Sequence, residues 1–195
     1  MKPFEEIELN LIDLKTRGLM GAPELRAVYD YIVSGVDNPL VVELGAYCGA
    51  GSFVMANAVS QKGGRLVCVD CFKTEFDAQT FSGNNARREW HRVMDGFKNV
   101  KLYDIDTIQG AVKFDLDFGN NIDFLFVDAD HSYNGVLNDL KLWSRFVKPS
   151  GVIVLHDYYN DAFPGVKLAA EDYLRGWDPV ASVWSMLFLK RAEVA

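Results

Sequence analysis

The chain has no apolar run near the ~20 residues that a membrane-spanning helix requires, and its opening, MKPFEEIELN, lacks the apolar stretch of a secretory signal. The expectation is a cytoplasmic protein with no membrane partner. Cysteine is scarce: Cys48, Cys68 and Cys71 make an odd set that describes no disulfide framework. Cys68-Val-Asp-Cys71 has C-x-x-C spacing but no second half to complete a zinc site. Positions three apart on a strand point to opposite faces, which also argues against a redox pair. These cysteines read instead as a core residue, Cys68, and a pocket-lining one, Cys71. Basic residues are outnumbered, 20 against 27 acidic, for a net charge of −7. A surface of that sign repels phosphate backbones, so nucleic acid is excluded as a partner. Internal repeats, low-complexity tracts and linkers are missing too, and 195 residues at 49% hydrophobic composition fit one domain spanning 1–195.

What is present is alternation. Short continuous apolar runs at Leu40–Glu43, Arg65–Asp70, Val100–Tyr103, Ile122–Val127 and Gly151–His156 predict strands buried on both faces of a parallel sheet. Helical periodicity separates them, most clearly over Tyr133–Val147 with Ser132 as N-cap. Repeated βα alternation predicts a three-layer α/β/α sandwich. Near the end, Pro179–Val183 and Met186–Lys190 are separated only by Trp184 and Ser185, a connection that permits only an antiparallel pair. Residues 1–35 read as helical packing plus a lid, with Ala22–Val33 the best helix. Residues 72–99 exceed what one crossover helix needs, and carry Phe76, Phe81, Arg87, Arg88, Trp90, His91 and Arg92. That segment reads either as a loop with a solvated helix or as a cover over a substrate.

The stretch LVVELGAYCGAGS, Leu40–Ser52, runs from a strand through a glycine-rich turn into a helical segment. Such a junction lets a ligand approach the backbone at a helix N-terminus. Its E-x-G-x-x-x-G-x-G spacing differs from the G-x-G-x-x-G of dinucleotide sites, which disfavours a dehydrogenase. The string resembles motif I of the S-adenosylmethionine-dependent methyltransferases, and ELGAYCG resembles the catechol O-methyltransferase branch. The resemblance implies a cofactor pocket of Glu43, Gly45, Tyr47, Gly49, Gly51 and Ser52. It adds Asp70 and Cys71 after the second strand, Asp106 after the third and Asp128 after the fourth. A carboxylate at Asp70 suits a ribose diol, and the family places the Asp106 position at the adenine edge.

Ligands of a doubly wound sheet bind beyond the carboxyl ends of its strands. There the fourth strand ends in VDADHSY and the fifth in LHDY. Asp128 and Asp130, two apart, project to one side while the chain stays extended. With His131, His156 and Asp157 they bring three carboxylates and two imidazoles to one edge. Like charges that close need a cation or raised pKa values; Mg²⁺ suits the carboxylates, and the imidazoles leave Mn²⁺, Fe²⁺ or Zn²⁺ open.

The run IDFLFVDADHSYNGVLNDLKLWSRFVKPSGVIVLHDY, with FPGVKLAAEDYL after it, resembles the bacterial O-methyltransferases that include sugar- and macrolide-tailoring enzymes. The resemblance covers roughly Gly21–Leu174. It implies the Rossmann-like class I fold, a mostly parallel seven-stranded sheet ending in an antiparallel strand. It also implies a divalent metal held by acidic residues after the fourth and fifth strands, here Asp128 and Asp157 with His156 or a water completing the set, orienting a substrate hydroxyl beside the sulfonium methyl. The chain departs from the pattern twice: the catechol branch has Asn at the Tyr158 position, and the sugar branch has Asp at the His156 position. His131 falls where catechol-type enzymes place a catalytic lysine, and Asp130 where sugar enzymes place a base. Both are therefore candidate proton acceptors. The expected reaction is metal-assisted O-methylation of a small molecule or glycoside, with a homodimer possible. The alternatives are a metal-independent methyltransferase using His131, or a non-catalytic nucleotide-binding module.

Overall fold

The computed structural model describes residues 2–16, 18–73, 83–119 and 121–192. Seven strands form one sheet: β1 (Leu40–Leu44), β2 (Arg65–Val69), β3 (Val100–Tyr103), β4 (Ile122–Val127), β5 (Val147–Leu155), β6 (Trp177–Val183) and β7 (Met186–Arg191). Their order is β3-β2-β1-β4-β5-β7-β6. The first five are mutually parallel; β7, last in the chain, is antiparallel to both neighbours and inserts between β5 and β6. The expected seven-stranded sheet with a terminal antiparallel strand is what the chain builds.

Period-2 alternation along each strand divides two cores. Val41, Leu66, Cys68, Phe124, Phe126 and Val154 face one layer of helices: α1 (Phe4–Asp13), α2 (Ala22–Ser34), α3 (Ala50–Gln61) and α4 (Gly83–Met94). Val42, Val67, Leu125, Ile153 and Leu155 face the other: α5 (Thr107–Asp117), α6 (Tyr133–Trp143) and α7 (Pro164–Tyr173). A strand buried on both faces has no polar side, hence the continuous apolar runs. Cys68 is in the first core, as expected.

Two boundaries differ from the sequence reading. The helix expected over Tyr133–Val147 stops at Trp143, and Ser144–Phe146 form a 3₁₀ turn into a β5 that starts at Val147 rather than Gly151. Phe146 keeps helical spacing, but its ring is needed in the second core, stacked near Phe114. The 72–99 connection contains α4, whose Ala86, Trp90, Val93 and Met94 are buried in the first core, so this helix is packed rather than solvated. Phe76 and Phe81 lie outside the described residues. No helix among the described residues is long and apolar enough to cross a membrane.

Candidate active site

Strand register brings the motifs together. Leu44 pairs with Val127 and Val127 with Leu155, so the residues that follow, Gly45, Asp128 and His156, leave adjacent strands side by side. The ladders continue one step beyond the strands: Asp128 N donates to Leu44 O at 2.8 Å and His156 N to Val127 O at 3.1 Å. Gly45 has φ +86, and a Cβ there would lie 2.1 Å from the Asp128 carbonyl oxygen. The space this glycine leaves is filled by the β4 backbone, not held open for a ligand. Gly49, also left-handed at φ +91, is the N-cap position of α3.

Below the loop the acidic residue of the motif is buried. Glu43 is 2% exposed, and its carboxyl is hydrogen-bonded by the Ser52 hydroxyl, which also accepts from Trp90 Nε1 at 3.0 Å. Burial pushes the Glu43 pKa up to about 8, opposed by hydrogen bonds from Cys68 and Ser52 and reinforced by the charges of Asp128 and Asp70. Ser52 is fully buried and Gly51 lies against Glu43 Oε1, so both support the loop from beneath. At the end of β2, Asp70 Oδ2 accepts from Ala46 N and Tyr47 N, each at 2.8 Å, and Oδ1 from Phe72 N at 2.6 Å. This carboxylate therefore clamps the glycine loop to the end of β2. Burial raises the pKa of Asp70, and the three amide donors pull against it. Cys71 is a free, half-buried thiol whose carbonyl accepts from Arg87, which also pairs with Asp104 at 2.8 Å. Asp106 is exposed and is the N-cap of α5, accepting from Gln109 N at 2.8 Å.

The charged cluster lies beyond β4 and β5. His156 Nδ1 is 3.1 Å from Asp128 Oδ1 and 3.1 Å from Asp157 Oδ2. His131 Nε2 faces the same two oxygens, at 3.4 and 3.1 Å. Consecutive strand residues point to opposite faces, yet His156 and Asp157 meet here. Asp157 adopts φ +58, and that left-handed turn returns its carboxylate to the His156 side. Asn160 Nδ2 fixes its other oxygen at 2.8 Å, and the Phe163 ring packs on His131 at 4.3 Å.

Asp130 is not in this cluster. The chain leaves the extended conformation after Val127, and the exposed Asp130 carboxylate accepts from Ser132 N at 2.8 Å, against Gly135 at the start of α6. The third carboxylate is Glu24, which the sequence reading did not single out. It reaches the cluster from α2, with Oε2 at 3.5 Å from His156 Nε2. A glutamate at the third position of a helix reads as a cap for the N-terminal amide, which Glu24 also provides by accepting from Gly21 N; nothing local reveals its second partner.

The cluster's charges are coupled. Burial lowers the His156 pKa, but Asp128, Asp157 and Glu24 outweigh it and push the imidazole up to about 12. For His131 the same contest, against Asp128 and Asp157, ends at about 9. Asp157 is held far below the ordinary carboxylate range, burial notwithstanding, by its two imidazoles and Asn160. Yet His131 Nε2 and both His156 nitrogens are buried without an aligned hydrogen bond. For His131 Nε2 and His156 Nδ1 the contacts are close in distance but poorly directed, as for groups that face a common point, whereas His156 Nε2 is turned toward Glu24. One atom from each of Asp128, His131, His156 and Asp157 lies within 4.8 Å of all the others, a set fit to hold a metal ion. Two clefts of about 290 and 460 Å³ open at the opposite, amino-terminal edge of the sheet.

The sequence matches the family described as a methyltransferase domain over residues 42–158, and the chain belongs to that family. The fold is that of class I S-adenosylmethionine-dependent methyltransferases, as the sequence reading expected. Among solved structures, it is similar to CalS11, described as a TDP-rhamnose 3′-O-methyltransferase of calicheamicin biosynthesis. That match has 14% identity and a TM-score of 0.67, covering 96% of this chain and 86% of the other. It is similar to the O-methyltransferase TomG of Streptomyces achromogenes, solved with its cofactor, at 15% identity and a TM-score of 0.69, over 89% and 82% of the two chains. A curated relative, uncharacterized protein R132 of Acanthamoeba polyphaga mimivirus, is 29% identical over 125 residues, 64% of this chain. The chain spans about half the length of that relative, 53%.

Proposed function

We propose that this chain transfers the methyl group of S-adenosylmethionine to a hydroxyl oxygen of a small molecule or glycoside, with a divalent ion held by Asp128, His156 and Asp157. The observation that carries the reading is the placement of a four-donor cluster one strand away from the glycine loop, at the carboxyl edge of a methyltransferase sheet. In the reaction the methyl carbon leaves sulfur as it bonds to oxygen, releasing S-adenosylhomocysteine, and the hydroxyl proton passes to water. A divalent ion at this site would lower the pKa of a nearby hydroxyl and orient it.

The chain's own contribution is positioning. Asp70 fixes the loop at Ala46 and Tyr47, and its remaining lone pairs suit the ribose hydroxyls. Glu43, neutral at its raised pKa, sets the loop floor without adding another anion near Asp128. The metal-free alternative, with His131 as base, is less well supported because Nε2 faces Asp128 and Asp157 rather than open solvent.

Calorimetric titration with S-adenosylhomocysteine tests the cofactor, and turnover on a panel of hydroxylated acceptors, with and without chelator, tests the metal. The expected result is binding, with activity lost in chelator and restored by a divalent ion. Binding of NADH in place of S-adenosylhomocysteine would overturn the reading.

A further inference from the structure

We propose that Asp128, His156, Asp157 and His131 form a site selective for a first-row transition-metal ion over Mg²⁺, with Glu24 as the residue that orients His156. The inference rests on the methyltransferase reading for the site's purpose, though not for its existence.

Four of the contacts close a ring in which oxygen and nitrogen alternate: Asp128 Oδ1, His156 Nδ1, Asp157 Oδ2, His131 Nε2. Its edges are 3.1, 3.1, 3.1 and 3.4 Å. Ligand atoms at ~2.0–2.2 Å from one ion stand about 2.8–3.1 Å apart as octahedral neighbours and about 3.3–3.6 Å apart in a tetrahedron. The ring has the dimensions of a first coordination shell. Its two nitrogens, His156 Nδ1 and His131 Nε2, are buried and lack aligned hydrogen bonds, and His156 as a whole is only 5% exposed. A buried imidazole nitrogen left so is costly unless something else occupies its lone pair.

The donor types decide the ion. Mg²⁺ takes oxygen ligands and gives up water reluctantly, whereas affinity at nitrogen-bearing sites rises from Mn²⁺ through Fe²⁺ and Co²⁺ to Ni²⁺, and imidazole also suits Zn²⁺. Two aspartates balance the charge of a divalent ion, and two histidines supply the affinity that Mg²⁺ cannot use. His131 is thereby assigned to the shell, which leaves it no free nitrogen on that side for a substrate proton.

Glu24 holds the arrangement from behind. It is 3% exposed, and its carboxylate is fixed by Ser185 N at 3.2 Å, Ser185 Oγ at 2.6 Å and Gly21 N at 3.0 Å. That frame leaves Oε2 facing His156 Nε2 at 3.5 Å. With Nε2–H directed to Glu24, the tautomer that presents a lone pair on Nδ1 is selected, and the ring plane is set. Glu24 is a positioning residue that never touches the ion.

Co²⁺ is the probe, because its ligand-field absorption reports the donors directly. Chelator-stripped protein should bind one Co²⁺ per chain with a visible band that a hundredfold excess of Mg²⁺ does not bleach. H156Q and H131Q should each weaken Co²⁺ by more than tenfold; His131 is the more exposed, so its variant carries the test if H156Q does not fold. E24Q should weaken Co²⁺ by roughly 10–100-fold and shift the band. S185A, which removes one brace of Glu24 but keeps the carboxylate, should retain the band. Bleaching by equimolar Mg²⁺, or Co²⁺ affinity indifferent to both histidine variants, would overturn the donor assignment. An unshifted band in E24Q would overturn the role of Glu24. S-adenosylhomocysteine binding is measured in parallel. Cofactor binding without Co²⁺ binding rejects this proposal alone, and Co²⁺ binding without cofactor binding rejects the methyltransferase reading while supporting the site.

Discussion

Glu24 and His156 face each other across the boundary between the amino-terminal helices and the sheet, Oε2 to Nε2 at 3.5 Å. Glu24 precedes the span that matches the methyltransferase family, 42–158, whereas His156 lies inside it. Phe126 and Val154 face the first core, and the same alternation carries Asp128 and His156 to the side on which α2 packs. Burial of Leu25, Val28, Tyr29 and Ile32 docks that helix, which delivers Glu24 to the cluster. Packing of an ordinary amphipathic helix thus supplies a charged partner to the site.

The clamp formed by Asp70 is testable by Asp70→Asn. The three amide donors at Ala46, Tyr47 and Phe72 lose a charged acceptor, and the new amide meets donors with a donor. Each charge-assisted bond is worth ~1.5–3 kcal/mol, so affinity for S-adenosylhomocysteine should drop at least tenfold and the melting temperature should fall. Calorimetry and thermal unfolding measure the two effects; unchanged affinity would remove Asp70 from the pocket.

Gly45→Ala should be among the most damaging single-methyl changes in the chain. The added Cβ would stand 2.1 Å from the Asp128 carbonyl oxygen, at a backbone angle of φ +86 that side chains avoid. A cost of roughly 2 kcal/mol or more is expected, read by urea unfolding. A loss under about 0.5 kcal/mol would mean that the β4 backbone is not packed on the loop as described.

Stability should fall with pH through the neutral range because of Glu43. Its folded pKa, about 8, exceeds the ordinary carboxyl value of 4.5. Between those values the folded chain keeps a proton that the unfolded chain has released, so stability declines as pH rises, by at most about 1.4 kcal/mol per unit from this group. Above pH 8 its contribution is constant. Asp139, raised by burial to about 7, acts with the same sign. Glu43→Gln should flatten the decline between pH 5 and 8 in urea unfolding; parallel slopes for variant and parent would show Glu43 ionised when folded.

Asp130 and His131 are neighbours with different expected outcomes. Asp130→Ala removes the acceptor for Ser132 N near the start of α6 and should cost ~0.5–2 kcal/mol of stability, with turnover within about twofold of the parent. His131→Ala removes one nitrogen donor of the metal cluster and should cut turnover by more than tenfold, with cofactor affinity nearly unchanged and activity partly recovered at raised metal concentration. Steady-state kinetics on both variants decides it, and the reverse ranking would place Asp130 rather than His131 at the reacting centre.

Much of this was legible in the chain itself. Continuous apolar runs could only be strands covered on both faces, and the two-residue gap at Trp184–Ser185 could only join an antiparallel pair. ELGAYCG, Asp128 and Asp157 are adjacent to strand ends, and parallel topology sends all such ends to one edge; that they also sit side by side is set by the spatial order β1-β4-β5. What the chain could not disclose is direction at a turn. Alternation assigns Asp130 to the side of Asp128 only while the strand continues, and it ends at Val127. It also sets Asp157 opposite His156, until a left-handed backbone at φ +58 reverses the assignment. Glu24 was hidden for a different reason: its capping role is local, but its contact with His156 depends on where α2 docks. Local periodicity therefore fixed the layers, the sheet and the edge where chemistry occurs. Which carboxylates share that edge was decided by turn geometry and helix docking, both settled only when the two cores close.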